Sequence, residues 1–548
     1  MSDQSSALSF ASPYYYFFLH GCAVVGDGAD GAGFLAGHAG DVARCIHRNR
    51  IERRRESCLL WTGCHTSPTP DAGIPIHIED DGCPFRHLFL PCSLLILLWR
   101  KYGKIWGKEV TVDSKIKVSP DPIPELWEFL RPFRGHFYNV RSLGNVERYI
   151  SGLLADIPRK TFAGIAEAVV GVSDEQLQGL LTDAHWDHDA FNRQRVETMI
   201  ERATAGDGVL DIDDSGIARK GDRCVGTARQ YSGTLGKVDN CQVFVTSHYA
   251  DPYHSWPVGA RLYLPESWCN APERRQRAHV PDDVTFQTKI EIGLALVDQA
   301  LEMGVPFTAV TSDGAYGDNP NFLDGLDKRR LPDESPLRYV VAVGCDFRVR
   351  KLDEIAQAEA EPESPSKAQG RGRPRKPAAA ELRAPLRRAD EVTAQVSDEE
   401  WHTITWRMGS KGPMTKQFTA LRARRAKRDE NGPVGWLIGE RPLPGHDGDK
   451  KWYWSNFPSD TPLARMVEIA HRRPIIERYY QDGKQETGLD DFMGQTWHGF
   501  HRHLALEATT ISWLRLQLPK PEQVQVTTKP QVSVAEEKPV FPLRASTV

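Results

Sequence analysis

Three short stretches place acids where an acid is costly. The first is "VLDIDDSG" (209–216): Val209, Leu210 and Ile212 are residues of a buried strand, yet Asp211, Asp213 and Asp214 crowd its end. The second is "VTSDGAYGD" (310–318), another apolar strand that releases an acid, Asp313, straight into a glycine turn. Two such strands can set both acids on one rim of a sheet. Carboxylates that converge there repel each other unless a cation neutralises them, and hard oxygen donors with open positions suit Mg²⁺ or Mn²⁺. Asp before Gly or Ser is also ordinary turn chemistry, so each stretch alone has a bland reading. Alternation puts Leu210, Ile212 and Asp214 on one strand face and Asp211 and Asp213 on the other, so alternation leaves Asp213 and Asp214 both open as the first acid.

The third stretch is "HRRPIIERYYQDGKQETG" (471–488). Pro474 suits a first helical turn and Gly488 suits the position just past a helix end. At ~100° per residue, Arg473, Glu477 and Lys484 fall within about 40° of each other. An acid flanked by two cations along one stripe can serve a metal and a phosphate. Its bland counterpart is a surface Arg–Glu pair at i,i+4.

Taken together, Asp214 in "DDSG", Asp313 in "TSDGAYGD" and Glu477 in "RRPIIERYYQDGK" resemble the Asp-Asp-Glu triad of the DDE transposases of bacterial insertion sequences. One branch carries a Tyr-x2-Arg-x3-Glu-x6-Lys signature, which Arg473, Glu477 and Lys484 match in spacing, while Ala470 stands at the Tyr position. That family's pattern sets the catalytic Asp just before Thr or Ser, which selects Asp214 over Asp213. "GKVDNCQVFVTSHYA", "ARLYLPESW" and "FHRHLALEATTISWL" extend the likeness from about Ile123 to about Leu516. The resemblance implies a ribonuclease-H-like mixed-sheet core that cleaves DNA and transfers strands with two Mg²⁺ or Mn²⁺ ions. Asp214 would bridge them, Asp313 and Glu477 would each hold one, and Arg473 and Lys484 would touch phosphates. Its implied partner is double-stranded DNA, as terminal inverted repeats and as target, bound by a homodimer in the bacterial cytoplasm.

The elements that must position these residues read as follows. Residues 1–118 mix Gly/Ala-rich, charged and turn-rich segments whose local signals disagree, so a poorly ordered leader is expected. Residues 119–206 have helical periodicity and a capping-box pattern at Ser173 and Gln176; the resemblance makes this a DNA-binding domain. Residues 207–350 alternate strands and helices, three strands and then helix, strand, helix, strand, which predicts a mixed α/β sheet. Residues 351–398 read as a low-complexity linker. Residues 399–460 return to strands as an inserted β-rich subdomain, 461–517 are helical and complete the core, and 518–548 form a mobile tail.

With 548 residues and 40% hydrophobic content, the chain can build real cores. Its formal net charge of −4 means that a polyanion must be held by local basic patches. Six of the 10 cysteines crowd the first hundred residues and no pair has CxxC spacing, so zinc is not expected and a reduced compartment is. "LFLPCSLLILLW" (88–99) is about half the ~20 residues that span a bilayer.

Several other residues invite a DNA reading. "GRGRPRKP" (370–377) resembles an AT-hook core, with Arg373 entering a narrow minor groove; a solvated charged linker is its bland reading. "RMGSKGPMTKQFTALRARRAKR" (407–428) is basic enough to lie on a DNA backbone. Trp452 and Trp454 alternate on one strand and either stack on a flipped base or pack between sheets. His498, His501 and His503 are expected at the surface, facing solvent or DNA. The rival functional classes are another ribonuclease-H-like nuclease, a non-catalytic DNA-binding derivative and, more distantly, a glycosidase.

Overall fold

The computed structural model describes residues 123–201, 207–233, 236–360, 380–409, 412–427 and 429–517, together with a short strand pair, β1 (Ile74–His77) and β2 (His87–Leu90). Apart from that pair, the expected leader lies outside the described residues, as do Arg373 and the tail beyond 517.

Five helices come first: α1 (Pro124–Leu130), α2 (Val140–Leu154), α3 (Phe162–Ala168), α4 (Asp174–Thr182) and α5 (His188–Ile200). Side-chain caps start four of them. Asn139, Thr161 and Asp187 each accept a backbone N–H of the helix they open, and Ser173 with Gln176 closes a reciprocal capping box on α4. This layer has no core of its own. Leu143, Ile150, Leu177 and Phe191 join one apolar cluster with Phe244, Leu262, Phe500 and Leu504 of the region that follows. Residues 123–201 hold twelve Asp and Glu against eight Lys and Arg, so this layer offers no surplus of cations to a phosphate backbone.

The centre is a 12-stranded sheet. Its strands are β3 (Gly208–Ala218), β4 (Ala228–Ser232), β5 (Lys237–Ala250), β6 (Ser255–Leu262), β7 (Phe307–Ser312), β8 (Arg338–Val343), β9 (Arg348–Lys351), β10 (Arg387–Arg388), β11 (His402–Gly409), β12 (Gly412–Lys427), β13 (Glu430–Arg441) and β14 (Lys451–Ser455). They run in the order β10-β9-β12-β13-β14-β8-β7-β3-β5-β4, with β11 added to β12 and β6 to β5. β3 pairs antiparallel with β5 and parallel with β7, and β7 runs parallel to β8, which makes the sheet mixed. β14 pairs antiparallel with β8, so the inserted strands extend the core sheet rather than standing apart.

Helices cover both faces. α6 (Lys289–Glu302) opens on a capping box of Thr288 and Glu291, and Gly304, at φ +72°, turns the chain beyond its C-cap. It packs on Leu210 and Ile212 with α7 (Gly314–Gly317) and α8 (Pro320–Asp327). α9 (Leu463–Ala470), α10 (Pro474–Glu486) and α11 (Trp497–Leu516) follow the inserted strands. Met466, Val467 and Ile469 of α9 cover Val209 and Ala309, on the opposite face.

The expected linker is shorter than its composition implies. Residues 352–360, 380–383 and 389–394 are helical, and Ala389 and Val392 are buried against the sheet. The alanines that made the segment look simple supply small apolar contacts and helix propensity. Among the described residues no helix is long and apolar enough to cross a membrane, and the four described cysteines are free.

Candidate active site

The acids meet where the parallel β3–β7 ladder ends: β7 stops at Ser312, whereas β3 does not end at its acids but runs on beside β5 to Ala218. The last paired residues there are Ile212 and Ser312. One step further along each strand stand Asp213 and Asp313, and neighbours in parallel register project to the same face. Asp313 also caps α7, its Oδ1 accepting from Ala315 N at 3.0 Å and Tyr316 N at 3.3 Å. Asp213 is 8% exposed. Burial and then the nearby Asp313 push its carboxyl up to about 7, against the pull of Arg473. Burial also raises Asp313, with Arg473 opposing and Asp214 adding to the rise. These acids crowd one another.

Glu477 comes from α10. Pro474 opens that helix, and Gly488, at φ +69°, turns the chain beyond its end, as the sequence predicts. Two adjacent tyrosines fix its seat. Tyr479 donates to Glu507 Oε2 of α11 at 2.9 Å, and the Tyr480 and Thr246 hydroxyls share a hydrogen bond of 2.5 Å. Arg472, just before the helix, is held by Asp207 and Glu468. The helix therefore presents Arg473 and Glu477 to the strand ends.

Arg473 joins the acids. It lies 2.8 Å from Glu477 Oε1 and 3.6 Å from Asp213 Oδ2. Burial alone would lower its guanidinium, but Asp213, Glu477 and Asp313 together raise it. Lys484 sits further along α10 and donates to Ser215 Oγ at 2.8 Å and the Gly216 carbonyl at 3.1 Å. The two cations thus pin the helix across β3.

Asp214 faces the other way. It pairs with Lys289 of α6 at 3.1 Å and accepts from the Tyr316 hydroxyl at 3.5 Å. The residue selected by the sequence pattern therefore belongs to the α6 side, and Asp213 shares the face and the cation of Asp313 and Glu477. Lys289 and Tyr316 carry no local signal of this role, because they meet Asp214 only through the fold. Deeper on the Asp213 face, Asp211 is fully buried opposite His248 in the β3–β5 register. Neither side chain has a hydrogen-bond partner among the described residues. Burial lifts the Asp211 carboxyl well above its usual range, with Arg473 opposing and Asp213 adding to the rise.

The other sequence candidates sit differently from expectation. Trp454 is 2% exposed and packs on Phe347, and Trp452 donates its indole N–H to Thr393. Both serve sheet packing, because β14 lies between β13 and β8 with helices over its faces. His501 and His503 are buried rather than superficial. His501 accepts from Leu262 N, and His503 hydrogen-bonds Tyr149. Three described cations of the basic run 407–428 are engaged within the protein. Lys416 pairs with the buried Glu440, Arg425 with Asp324 and Asp327, and Arg422 stacks over Trp436. Arg407 and Lys427 stay exposed.

Three carboxylates at one rim are hard oxygen donors of the kind that Mg²⁺ and Mn²⁺ prefer, and their mutual repulsion favours a cation there. They do not form a ready cage: among the described residues no three His, Cys, Asp or Glu side chains are gathered closely enough to hold a metal ion.

Comparison with known proteins bears on the same region. Residues 132–413 match the family described as DDE superfamily endonuclease, a span that contains Asp213, Asp214 and Asp313 and ends before Glu477. A relative from Microchaete diplosiphon, named as a probable transposase for insertion sequence element IS701, is 31% identical over 227 residues. That alignment covers 41% of this chain and 55% of the relative, so the chain spans about half the length of the curated relative it matches. Among solved structures, the NurA nuclease from Sulfolobus solfataricus aligns over 51% of this chain and 79% of its own, at 8% identity and a TM-score of 0.18. A likeness that slight carries no argument.

Proposed function

The chain belongs to the DDE superfamily of endonucleases, and from that premise we propose that it is a transposase, cleaving DNA at insertion-sequence ends and joining the 3′-hydroxyl ends to target DNA. One observation carries the reading: Asp213 and Asp313 each stand one step past the last paired residues of the β3–β7 ladder, and Glu477 reaches the same cluster through Arg473. The strand order β6-β5-β3-β7-β8, three antiparallel strands and then two parallel to the first, supports a ribonuclease-H-like core with β9–β14 inserted.

Asp213, Asp313 and Glu477 would hold Mg²⁺ or Mn²⁺, with two ions per site. When bound, such ions activate the attacking hydroxyl and stabilise the leaving oxygen. Asp213 takes the place the sequence pattern gives to Asp214, because it shares a face and a cation with the other two acids, whereas Asp214 is tied to Lys289. Arg473 and Lys484 line the approach and would bind backbone phosphates beside the scissile bond. Tyr479 and Tyr480 hold the helix so that Glu477 stays at the rim. The substrates would be terminal inverted repeats and target duplex, held by a homodimer in the cytoplasm.

The test is direct. The full chain is incubated with duplex carrying its flanking DNA, in Mg²⁺ and in EDTA. The proposal expects cleavage at inverted repeats that leaves a 3′-hydroxyl, only with the metal. Undiminished cleavage in EDTA would end the metal reading, and uncut DNA under both conditions would favour a non-catalytic DNA-binding derivative.

A further inference from the structure

Adjacent arginines precede α10, and they are held in different ways. Arg472 is 6% exposed and bound to Asp207 and Glu468, acids outside the cluster, so it is a strut. Arg473 instead binds the acids assigned to the metal: Glu477 at 2.8 Å and Asp213 at 3.6 Å, with Asp313 close enough to act on its charge. Its buried Nε has no hydrogen-bond partner among the described residues. Glu477, its closest partner, has a side chain 55% exposed to solvent. Lys484 donates to a hydroxyl and a carbonyl of β3.

We propose that Arg473 is the resident counter-ion of the acid cluster and exchanges partners on loading: it leaves Asp213 and Glu477 as a divalent cation arrives, and takes a DNA phosphate instead. This rests on the metal-site reading above. Three like charges at one rim need a cation, and the guanidinium supplies it while the protein is alone. A guanidinium cannot share those oxygens with a dication without strong like-charge repulsion. Once released, its planar fork suits a phosphate, which it binds in bidentate fashion. Metal and DNA then bind cooperatively: each favours the arginine position that the other needs, and the coupling is reciprocal. Before either ligand is present, the same guanidinium offsets the charge of the acids.

The experiment titrates Mn²⁺ alone into the DNA-free full chain by calorimetry, for the wild type, Arg473→Gln and Asp213→Asn. It also measures affinity for a duplex of arbitrary sequence, with and without Ca²⁺, at one fixed salt concentration. Exchange expects Arg473→Gln to bind Mn²⁺ roughly tenfold more tightly than wild type, within the usual range of coupling between sites. Ca²⁺ should strengthen DNA binding in the wild type and much less in Arg473→Gln. If Arg473→Gln binds Mn²⁺ no more tightly than wild type while Asp213→Asn abolishes binding, the exchange is wrong and the metal site stands. If Asp213→Asn binds Mn²⁺ as the wild type does, the metal site itself is wrong and the exchange falls with it. Should Arg473→Gln fail to fold, Arg473→Lys serves: it keeps the charge, loses the fork, and should show a smaller gain in Mn²⁺ affinity. No gain in that variant would equally overturn the exchange.

Discussion

Asp213 and Glu440 are buried carboxylates on strands of one sheet, and their proton affinities move in opposite directions. Burial pushes both up. At Asp213 the neighbouring Asp313 adds to the push, and the group settles at about 7. At Glu440, in the inserted half, hydrogen bonds from His471, Lys416 and Tyr453 outweigh burial and hold it at about 2. His471 itself packs against Trp406, the rings tilted and their centroids 4.0 Å apart. The inserted half therefore pairs its buried charges, partly with the core: Glu440 takes His471, and Arg425 reaches Asp324 and Asp327 of α8. The rim leaves like charges crowded with Arg473 as their shared cation. Mutually repelling carboxylates beside one shared cation are what a candidate catalytic site should show.

The sharpest way to break this comparison is to remove one acid from each half. Asp213→Ala should lose cleavage by several orders of magnitude, as expected when one member of a cooperating catalytic set is removed, and should leave stability unchanged or slightly raised because it relieves repulsion. Asp214→Ala should keep measurable cleavage. The reverse pattern in a cleavage assay would return the first position to Asp214.

Glu440→Ala should act on stability instead. Removing one partner of a buried ion pair typically costs about 3–5 kcal/mol. A urea titration reads it, and a loss well below that would mean that the inserted half is less committed than its geometry says.

A second buried glutamate sharpens the contrast through pH. Glu507 is fully buried and accepts from the neutral hydroxyls of Tyr479 and Thr487, with Arg195 as a further favourable charge. Burial dominates there and raises it from 4.5 to about 7. A raised group favours folding at low pH, so its stabilisation is complete below 4.5 and is lost as pH rises through about 7. Glu440 is depressed from 4.5 to about 2, so its stabilisation is present above 4.5 and is lost as pH falls toward 2. Each is on the order of 3 kcal/mol at most. Denaturant midpoints across pH should show Glu507→Gln flattening the 4.5 to 7 window and Glu440→Gln flattening the 2 to 4.5 window. Identical profiles for the two variants would mean that their surroundings do not differ as described.

The smallest effect concerns Lys289. Its pair with Asp214 is partly exposed, 31% and 18% at the two side chains, and such pairs are worth about 0–1 kcal/mol. Lys289→Met should change stability by less than about 1 kcal/mol and leave cleavage near wild type. A large loss of cleavage would draw Asp214 back into the site.

What the sequence determined by itself is local. It placed acids directly after apolar strand residues, capped α4 with Ser173 and Gln176, and set Pro474 and Gly488 around a helix, with Arg473 and Glu477 four residues apart at its start. Each of these depends on neighbours within a few residues, so composition and spacing suffice. The tertiary structure decided the rest. Whether Asp213 or Asp214 faces Glu477 is set by register against a strand about a hundred residues away, and a one-residue slip would reverse it. The commitment of Lys416 and Arg425 to internal ion pairs, and the burial of Trp454, His501 and His503, depend on partners equally remote in the chain. A cation, a tryptophan and a histidine read alike in sequence whether they meet solvent or a sheet, because burial is a property of the assembled layers and not of the segment.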